Sequence, residues 1–205
     1  MPSGTALTNL VDTLVNLIGA RYVAECLDVR ILDIMALGDD SVVQWYPSPP
    51  GDEVESVYAE LGLVVSKDKQ WVSPDSLHFL QNLHAIDRVV GGVSVGVRSI
   101  FRTANGMLSY ERLRSGWSKY MDTTRWLMQA DQSKFDPRFD TLMRWWTSKD
   151  KVVQSGMSPD SIFRAAGGAE VINRLSGRQG VEGREVTGES LNSMESVRWV
   201  KENLG

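Results

Sequence analysis

The stretch that decides the fold runs from Val29 to Tyr46, VRILDIMALGDDSVVQWY. An apolar run rich in Ile, Leu and Met ends at Leu37, the tripeptide Gly38-Asp39-Asp40 follows, and Ser41–Tyr46 resumes the apolar pattern with Val42 and Val43. Two apolar runs joined by Gly and Asp are the sequence form of a β-hairpin. A rigid turn can aim two carboxylates at one point, and Mg²⁺ takes hard oxygen ligands, so Asp39 and Asp40 form a candidate metal site. The alternative is a plain polar turn, since composition alone gives an expectation of about 0.1 such tripeptides in a chain of this kind. The flanks ILDIMAL and SVV weigh against that alternative, because they imply a turn held between two buried strands.

Upstream, Leu7, Leu10, Val11, Leu14 and Ile18 recur at helical spacing, with Thr5, Thr8 and Asp12 on the other side, which predicts an amphipathic helix with a polar stripe. Ser3-Gly4 before it offers a Gly-containing loop able to approach a ligand, followed by hydroxyls on the first helical turn. Helix capping by Ser3 or Thr5 accounts for the same residues. Downstream, Pro47–Gly51 breaks the chain, and Val54, Val57, Tyr58 and Leu61 mark a short helix ended by Gly62. Leu63–Ser66 reads as a strand, and Gln70–Ser73 with Ser76–Leu80 as a strand pair interrupted by Pro74. Beyond a change near Gly91-Gly92 the pattern is helical, over 97–113, 119–131, 137–148, 159–174 and 189–203. The fold class is therefore α+β. Residues 176–188, with four glycines and no aromatic, read as a surface loop or linker.

The 205 residues suffice for one large domain or two small ones, and 42% hydrophobic with 23% charged residues is the composition of a folded chain. A net charge of -4 excludes nucleic-acid binding through bulk positive charge, so any such surface must be local. The patch at 97–119 is one, with Arg98, Arg102, Arg112, Arg114 and Lys119 against the single acid Glu111. In a helix, Arg98 and Arg102 stand one turn apart on one face, where they could follow phosphates. A solvated helix face is the alternative. Cys26 is the single cysteine, and with two histidines it makes no zinc set, so a reducing compartment is expected. No stretch has the length or composition of a signal peptide or membrane span. Four of the seven tryptophans, Trp117, Trp126, Trp145 and Trp146, fall close together, and core packing is the expected use of them.

Taken in order, these segments resemble the palm of a viral RNA-dependent RNA polymerase. SGTALT at 3–8 is similar to motif B, ALGDDSVV at 36–43 to motif C, ELGLVVSKDKQ at 60–70 to motif D and SLHFLQNLH at 76–84 to motif E. RSIFRTANGMLSYERLR at 98–114 looks like the start of a thumb, and these last two are most similar to picobirnavirus and partitivirus polymerases. The resemblance covers about residues 1–130, and its strength is the conjunction of motifs in order.

The resemblance implies a partial palm over 1–90, with motifs B to E, and a helical thumb over 91–205. It implies template-directed transfer of nucleotides from nucleoside triphosphates to the 3′ end of RNA by two-metal catalysis with Mg²⁺ or Mn²⁺. Asp39 matches the motif C aspartate that ligates the metals, and Asp40 its assisting neighbour. Ser3, Gly4 and Thr8 match the loop and helix that position nucleotide and template. Lys69 matches the motif D lysine that protonates pyrophosphate, although Lys67 could take that role. The position of a ribose-reading asparagine falls on Asp12, with Asn9 nearby. Arg98 and Arg102 are expected to meet the same RNA that Asp39 serves.

Motif A, with a further metal-binding aspartate, and the basic fingers motif would lie upstream of motif B in such a polymerase. The resemblance therefore implies a C-terminal part of a larger protein, inactive alone, with those upstream fingers and palm motifs as partner, in the host cytoplasm or virion interior. Gly38 before the paired aspartates favours an RNA-templated RNA polymerase over a reverse transcriptase. The rival from another class is a non-catalytic helical adaptor in which Gly-Asp-Asp is a plain turn.

Overall fold

The computed structural model describes residues 6–65, 69–109, 116–168 and 191–204. It divides into two compact units, Met1–Val95 and Gly96–Gly205. The chain is α+β, as its sequence implies.

The first unit begins with α1 (Ala6–Cys26), the strands β1 (Arg30–Leu37) and β2 (Asp40–Tyr46), and α2 (Gly51–Glu60). The strands pair antiparallel, and the Leu37–Asp40 pair closes a two-residue loop of Gly38 and Asp39. Gly38 has φ +62° and Asp39 does not share a positive φ, the pattern of a type II′ hairpin turn that glycine at the first loop position permits. The strands are covered on one face only: Ile34 and Ala36 are half-buried while Met35 and Leu37 are exposed. The run ILDIMAL thus corrects the expectation of two fully buried strands, because its apolar residues occupy both faces of a sheet that the described residues cover on one.

The helix forms as its periodicity predicts, but a different face is covered. Leu7, Leu10, Leu14 and Ile18 are 61, 56, 48 and 65% exposed. Buried instead are Gly19, Ala20 and Val23. Gly19 lets the Tyr58 ring of α2 approach so closely that an added Cβ would stand 2.6 Å from Cε1. Val23, Val57 and Tyr58 make a small core, flanked by Leu27, Trp45, Val54, Leu63 and Val65. Periodicity shows that a face is apolar; it does not show which face finds a neighbour.

The expected strand at 63–66 does not form over 63–65, and Ser66 lies outside the described residues. Leu63 closes the end of α2 by donating its N–H to the Tyr58 carbonyl at 3.0 Å, and Leu63 and Val65 pack on the small core while Val64 points to water. The pairing expected between 70–73 and 76–80 is also absent. β3 (Ser76–Phe79) pairs with β4 (Asn82–Val90), which leads to β5 (Val93–Val97) in a three-stranded sheet of order β3-β4-β5. Trp71 folds back on β3, its Nε1 donating to Ser76 Oγ at 3.2 Å and its ring edge-on to His78. Gly91 and Gly92, with φ +59° and +81°, form the β4–β5 turn, so the strand pattern runs on to Val97 past the point where a helical region was expected.

The second unit comprises α3 (Ile100–Leu108), α4 (Lys119–Asp131), α5 (Phe139–Thr147), α6 (Lys151–Gln154), α7 (Pro159–Ala165) and α8 (Glu195–Leu204). Met107, Leu127, Leu142, Met143, Trp146, Ile162, Val197 and Trp199 are members of one core cluster. The tryptophans divide: Trp146 is buried, Trp126 meets it edge-on at 6.0 Å, and Trp145 is 43% exposed. The helices are joined by side chains that satisfy each other's ends. Arg125 of α4 donates to the carbonyls of Gly106, Met107 and Ser109 at the C-terminus of α3, and Trp126 Nε1 adds a bond to Met107 at 2.7 Å. Asp136 accepts from the Ile100 N–H at the other end of α3, at 3.2 Å. Asp131 accepts from the N–H groups of Glu195 and Ser196, and Ser196 Oγ donates to the Leu127 carbonyl at 2.7 Å, which fastens α8 to α4.

Several helix bounds differ from expectation, α8 among them, which begins at Glu195 and not at 189. Ser99 caps α3, its Oγ accepting from the Phe101 N–H, so the helix begins after Arg98; Ser109 is extended and ends it. α7 stops at Ala165, with Gly167 at φ +110°, and the expected stretch over 169–174 lies outside the described residues. α6 has no periodic signal because it is a single turn, fixed by Asp150, which accepts from the N–H groups of Val152 and Val153 and from Thr123 Oγ1. The loop expected at 176–188 lies outside the described residues. No helix among the described residues is long and apolar enough to cross a membrane.

Candidate active site

The exposed carboxylates of Asp39 and Asp40 stand at the tip of the β1–β2 hairpin, Asp39 in the loop and Asp40 in the first pair of β2. Gly38 beneath them is buried against α1. A two-residue hairpin loop leaves its own backbone groups outside the strand ladder, so Gly38 needs partners from elsewhere. Two residues of α1 supply them: Gly38 N–H donates to Thr13 Oγ1 at 2.8 Å, and Asn16 Nδ2 donates to the Gly38 carbonyl at 2.6 Å. Thr13 Oγ1 in turn donates its own hydrogen to the Asn9 carbonyl at 2.7 Å. The Asn9 amide group lies 3.7–3.9 Å from where a Cβ on Gly38 would sit.

The sequence reading placed Thr8, Asn9, Asp12, Asp39 and Asp40 in one site, and the structure brings Asn9 directly to the hairpin tip. Thr8 and Asp12 are half-buried one turn apart on α1, and Asn9 is exposed beside Gly38. Thr13 and Asn16 were missed, although Asn9, Thr13 and Asn16 fall at i, i+4 and i+7, as regular a polar stripe as the Thr5, Thr8 and Asp12 set. Ser3, Gly4 and Lys67 lie outside the described residues. Lys69 is exposed, after α2.

In the second unit Arg98 and Arg102 are neighbours, but not on one helical face as expected, because Ser99 starts α3 after Arg98. Burial lowers the pKa of Arg98, and the nearby charge of Arg102 lowers it further. Its Nε is buried without a hydrogen-bond partner among the described residues. Arg102 is exposed on α3, and Arg112 and Arg114 lie outside the described residues.

Two adjacent exposed carboxylates are hard oxygen donors of the kind a divalent cation takes, and their turn is rigidly held. They are too few for a complete set: among the described residues no group of three His, Cys, Asp or Glu is placed to hold a metal. The fit is that of part of a site.

Residues 1–94 match the family model described as viral RNA-dependent RNA polymerase, a span that contains α1, the hairpin and most of the three-stranded sheet. Over that span the chain is similar to the viral RNA-dependent RNA polymerases. A protein of a human picobirnavirus (strain Human/Thailand/Hy005102/-), described as a potential RNA-dependent RNA polymerase, is 28% identical over 173 residues, 83% of this chain and 32% of the relative. The chain thus spans about a third of the length of the curated polymerase it matches. Its fold is shared with the crystal structure of a human picobirnavirus RNA-dependent RNA polymerase, at TM-score 0.75 and 23% identity over 98% of this chain and 39% of the other. An insertion-loop deletion mutant of a human picobirnavirus polymerase matches at TM-score 0.73 and 24% identity, over 98% of this chain and 37% of the other.

Proposed function

We propose that these residues form the motif B to thumb portion of a viral RNA-dependent RNA polymerase. The observation that carries this reading is the pair of exposed carboxylates at the tip of a hairpin whose Gly38 is laid against α1. In this reading residues 1–90 are a partial palm and 91–205 a helical thumb. The working enzyme in this reading includes fingers and a further metal-binding strand upstream, and the relative's greater length leaves room for them.

Asp39 and Asp40 would hold Mg²⁺ or Mn²⁺ together with a carboxylate from the upstream strand. Such ions, when bound, stabilise charge on the attacking and leaving oxygens. The RNA 3′ oxygen bonds to the α-phosphorus of the incoming triphosphate as the bond to the bridging oxygen breaks, releasing pyrophosphate. Lys69 is positioned in sequence to protonate that leaving group, and Lys67 is the alternative donor. Ser3, Gly4 and Thr8 position nucleotide and template, while Asn9 and Asp12 offer an amide and a carboxylate to a ribose 2′-hydroxyl. Arg98 and Arg102 neutralise phosphates of the RNA, and their adjacency without a described acidic partner for Arg98 supports that use.

Primer extension tests the reading on three proteins: the 205-residue chain, a polymerase in which the upstream portion precedes it, and the Asp39→Ala form of that polymerase. Metal-dependent incorporation is expected from the second alone. Incorporation by the Asp39→Ala form would leave Gly-Asp-Asp a plain turn and favour the adaptor reading.

A further inference from the structure

We propose that Thr13 and Asn16 are positioning residues that set the direction of the Asp39 carboxylate by clamping the Gly38 backbone. The proposal rests on the polymerase reading and deepens it. Its basis is the accounting of polar groups at the turn. Gly38 is buried, its N–H is 2.8 Å from Thr13 Oγ1, and its carbonyl is 2.6 Å from Asn16 Nδ2.

The hydrogen on the Thr13 hydroxyl is committed to the Asn9 carbonyl at 2.7 Å, which leaves the oxygen lone pairs free to accept from Gly38. The polarity of the chain Gly38 N–H to Thr13 Oγ1 to Asn9 carbonyl is therefore fixed. The Gly38 carbonyl belongs to the peptide plane that carries the Asp39 nitrogen, so Asn16 holds the plane from which Asp39 departs. With both sides of Gly38 fixed, the remaining freedom of Asp39 is its own φ and side-chain torsions. The clamp also joins the hairpin to the helix carrying Thr8, Asn9 and Asp12. A change at either clamp residue moves the metal-binding carboxylate relative to the ribose-facing residues without removing any group that touches metal or substrate.

Two measurements test this. In the 205-residue chain, hydrogen exchange of the Gly38 amide reads the clamp itself. Thr13→Val, which keeps shape and removes the acceptor, is expected to speed exchange by about tenfold or more, an orphaned buried donor being that costly. Thr13→Ser, which retains the hydroxyl, should preserve protection. In the polymerase carrying the upstream portion, Thr13→Val and Asn16→Leu are expected to lower kcat by about 10- to 100-fold, the scale of an ångström-sized misplacement, with KM for nucleotide within about threefold. Thr13→Ser should restore kcat, and Asn16→Asp, which keeps size but loses the donor, should behave as Asn16→Leu.

Full kcat in Thr13→Val and Asn16→Leu, beside an inactive Asp39→Ala, would overturn the positioning role and leave the polymerase reading standing. Activity in Asp39→Ala would overturn that reading, whatever the exchange data show. If Thr13→Val unfolds, Asn16→Asp and Thr13→Ser carry the decision: equal kcat in these two also overturns the proposal.

Discussion

The guanidinium of Arg125 donates to the Met107 carbonyl at 3.0 Å, from a side chain that is 7% exposed. It reaches the Gly106 and Ser109 carbonyls as well, so one residue of α4 meets three acceptors at the end of α3. Arg125→Met, which keeps much of the volume, is expected to destabilise the second unit by about 1–3 kcal/mol, because three backbone acceptors at the end of α3 lose a charged donor and the Met107 carbonyl is left with its bond from Trp126. Arg125→Lys should recover little, since a single ammonium cannot reproduce the planar fork. Urea unfolding followed by tryptophan fluorescence reads both.

The stability of this unit is expected to fall in acid partly through Asp136. Burial alone would raise its pKa, but hydrogen bonds from the Arg138 side chain and from the N–H groups of Arg138 and Ile100 outweigh that and hold the carboxyl below its ordinary value. A carboxyl depressed on folding contributes fully above its unfolded pKa of about 3.9 and loses that contribution as pH falls through the lower folded value. Unfolding free energy measured from pH 7 to pH 2 should be unaffected by this group down to about pH 5 and decline below about pH 4. Asp136→Asn should flatten that acid limb. An acid limb of unchanged slope would show that other carboxyls carry it.

Much of this arrangement was readable beforehand, for a physical reason. Gly38-Asp39-Asp40 announced a turn because a two-residue loop demands a residue tolerant of positive φ, and α1 announced itself through its 3.6-residue period. The clamp was less legible because Thr13 and Asn16 act on backbone atoms distant in sequence, and backbone acceptors leave no mark in a motif. The face of α1 that is covered was misjudged because packing there depends on the small side of Gly19 and Ala20, not on the aliphatic stripe. Arg98 lies outside α3 because Ser99, a strong cap, outweighs the apolar pattern that continues through it.

Leu80 and Gln81 both hold positive φ, +49° and +66°, in the two-residue turn between β3 and β4. Side chains with a Cβ are strained there by about 1–2 kcal/mol each, whereas Asn-Gly suits such a turn. Replacing the pair by Asn-Gly is expected to stabilise the first unit by about 1 kcal/mol after the extra chain entropy of glycine is counted. A thermal melt that fell instead would show that the Leu80 side chain contributes more by packing than its backbone loses.

Metal should bind the 205-residue chain weakly, through the hairpin tip. Mn²⁺ is expected to broaden the NMR signals of Asp39 and Asp40 before others, with half-saturation on the order of millimolar, as suits a site short of ligands. EDTA should leave the melting temperature unchanged, since little binding energy is coupled to folding. Asp39→Ala should abolish the selective broadening, and broadening centred elsewhere would contradict a metal site at the tip.

The fastening of α8 also bears on how the second unit is made. Asp131 and Leu127 of α4 hold Glu195 and Ser196 across more than sixty residues, and Val197, Trp199 and Val200 belong to the same core as Leu127 and Trp146. While a ribosome is still synthesising the chain, α3 to α7 emerge first with that side of their core open to water. The unit closes only when α8 arrives, so completion of folding waits until residues 195–204 have been made, and until then the exposed core is a surface for chaperones to cover.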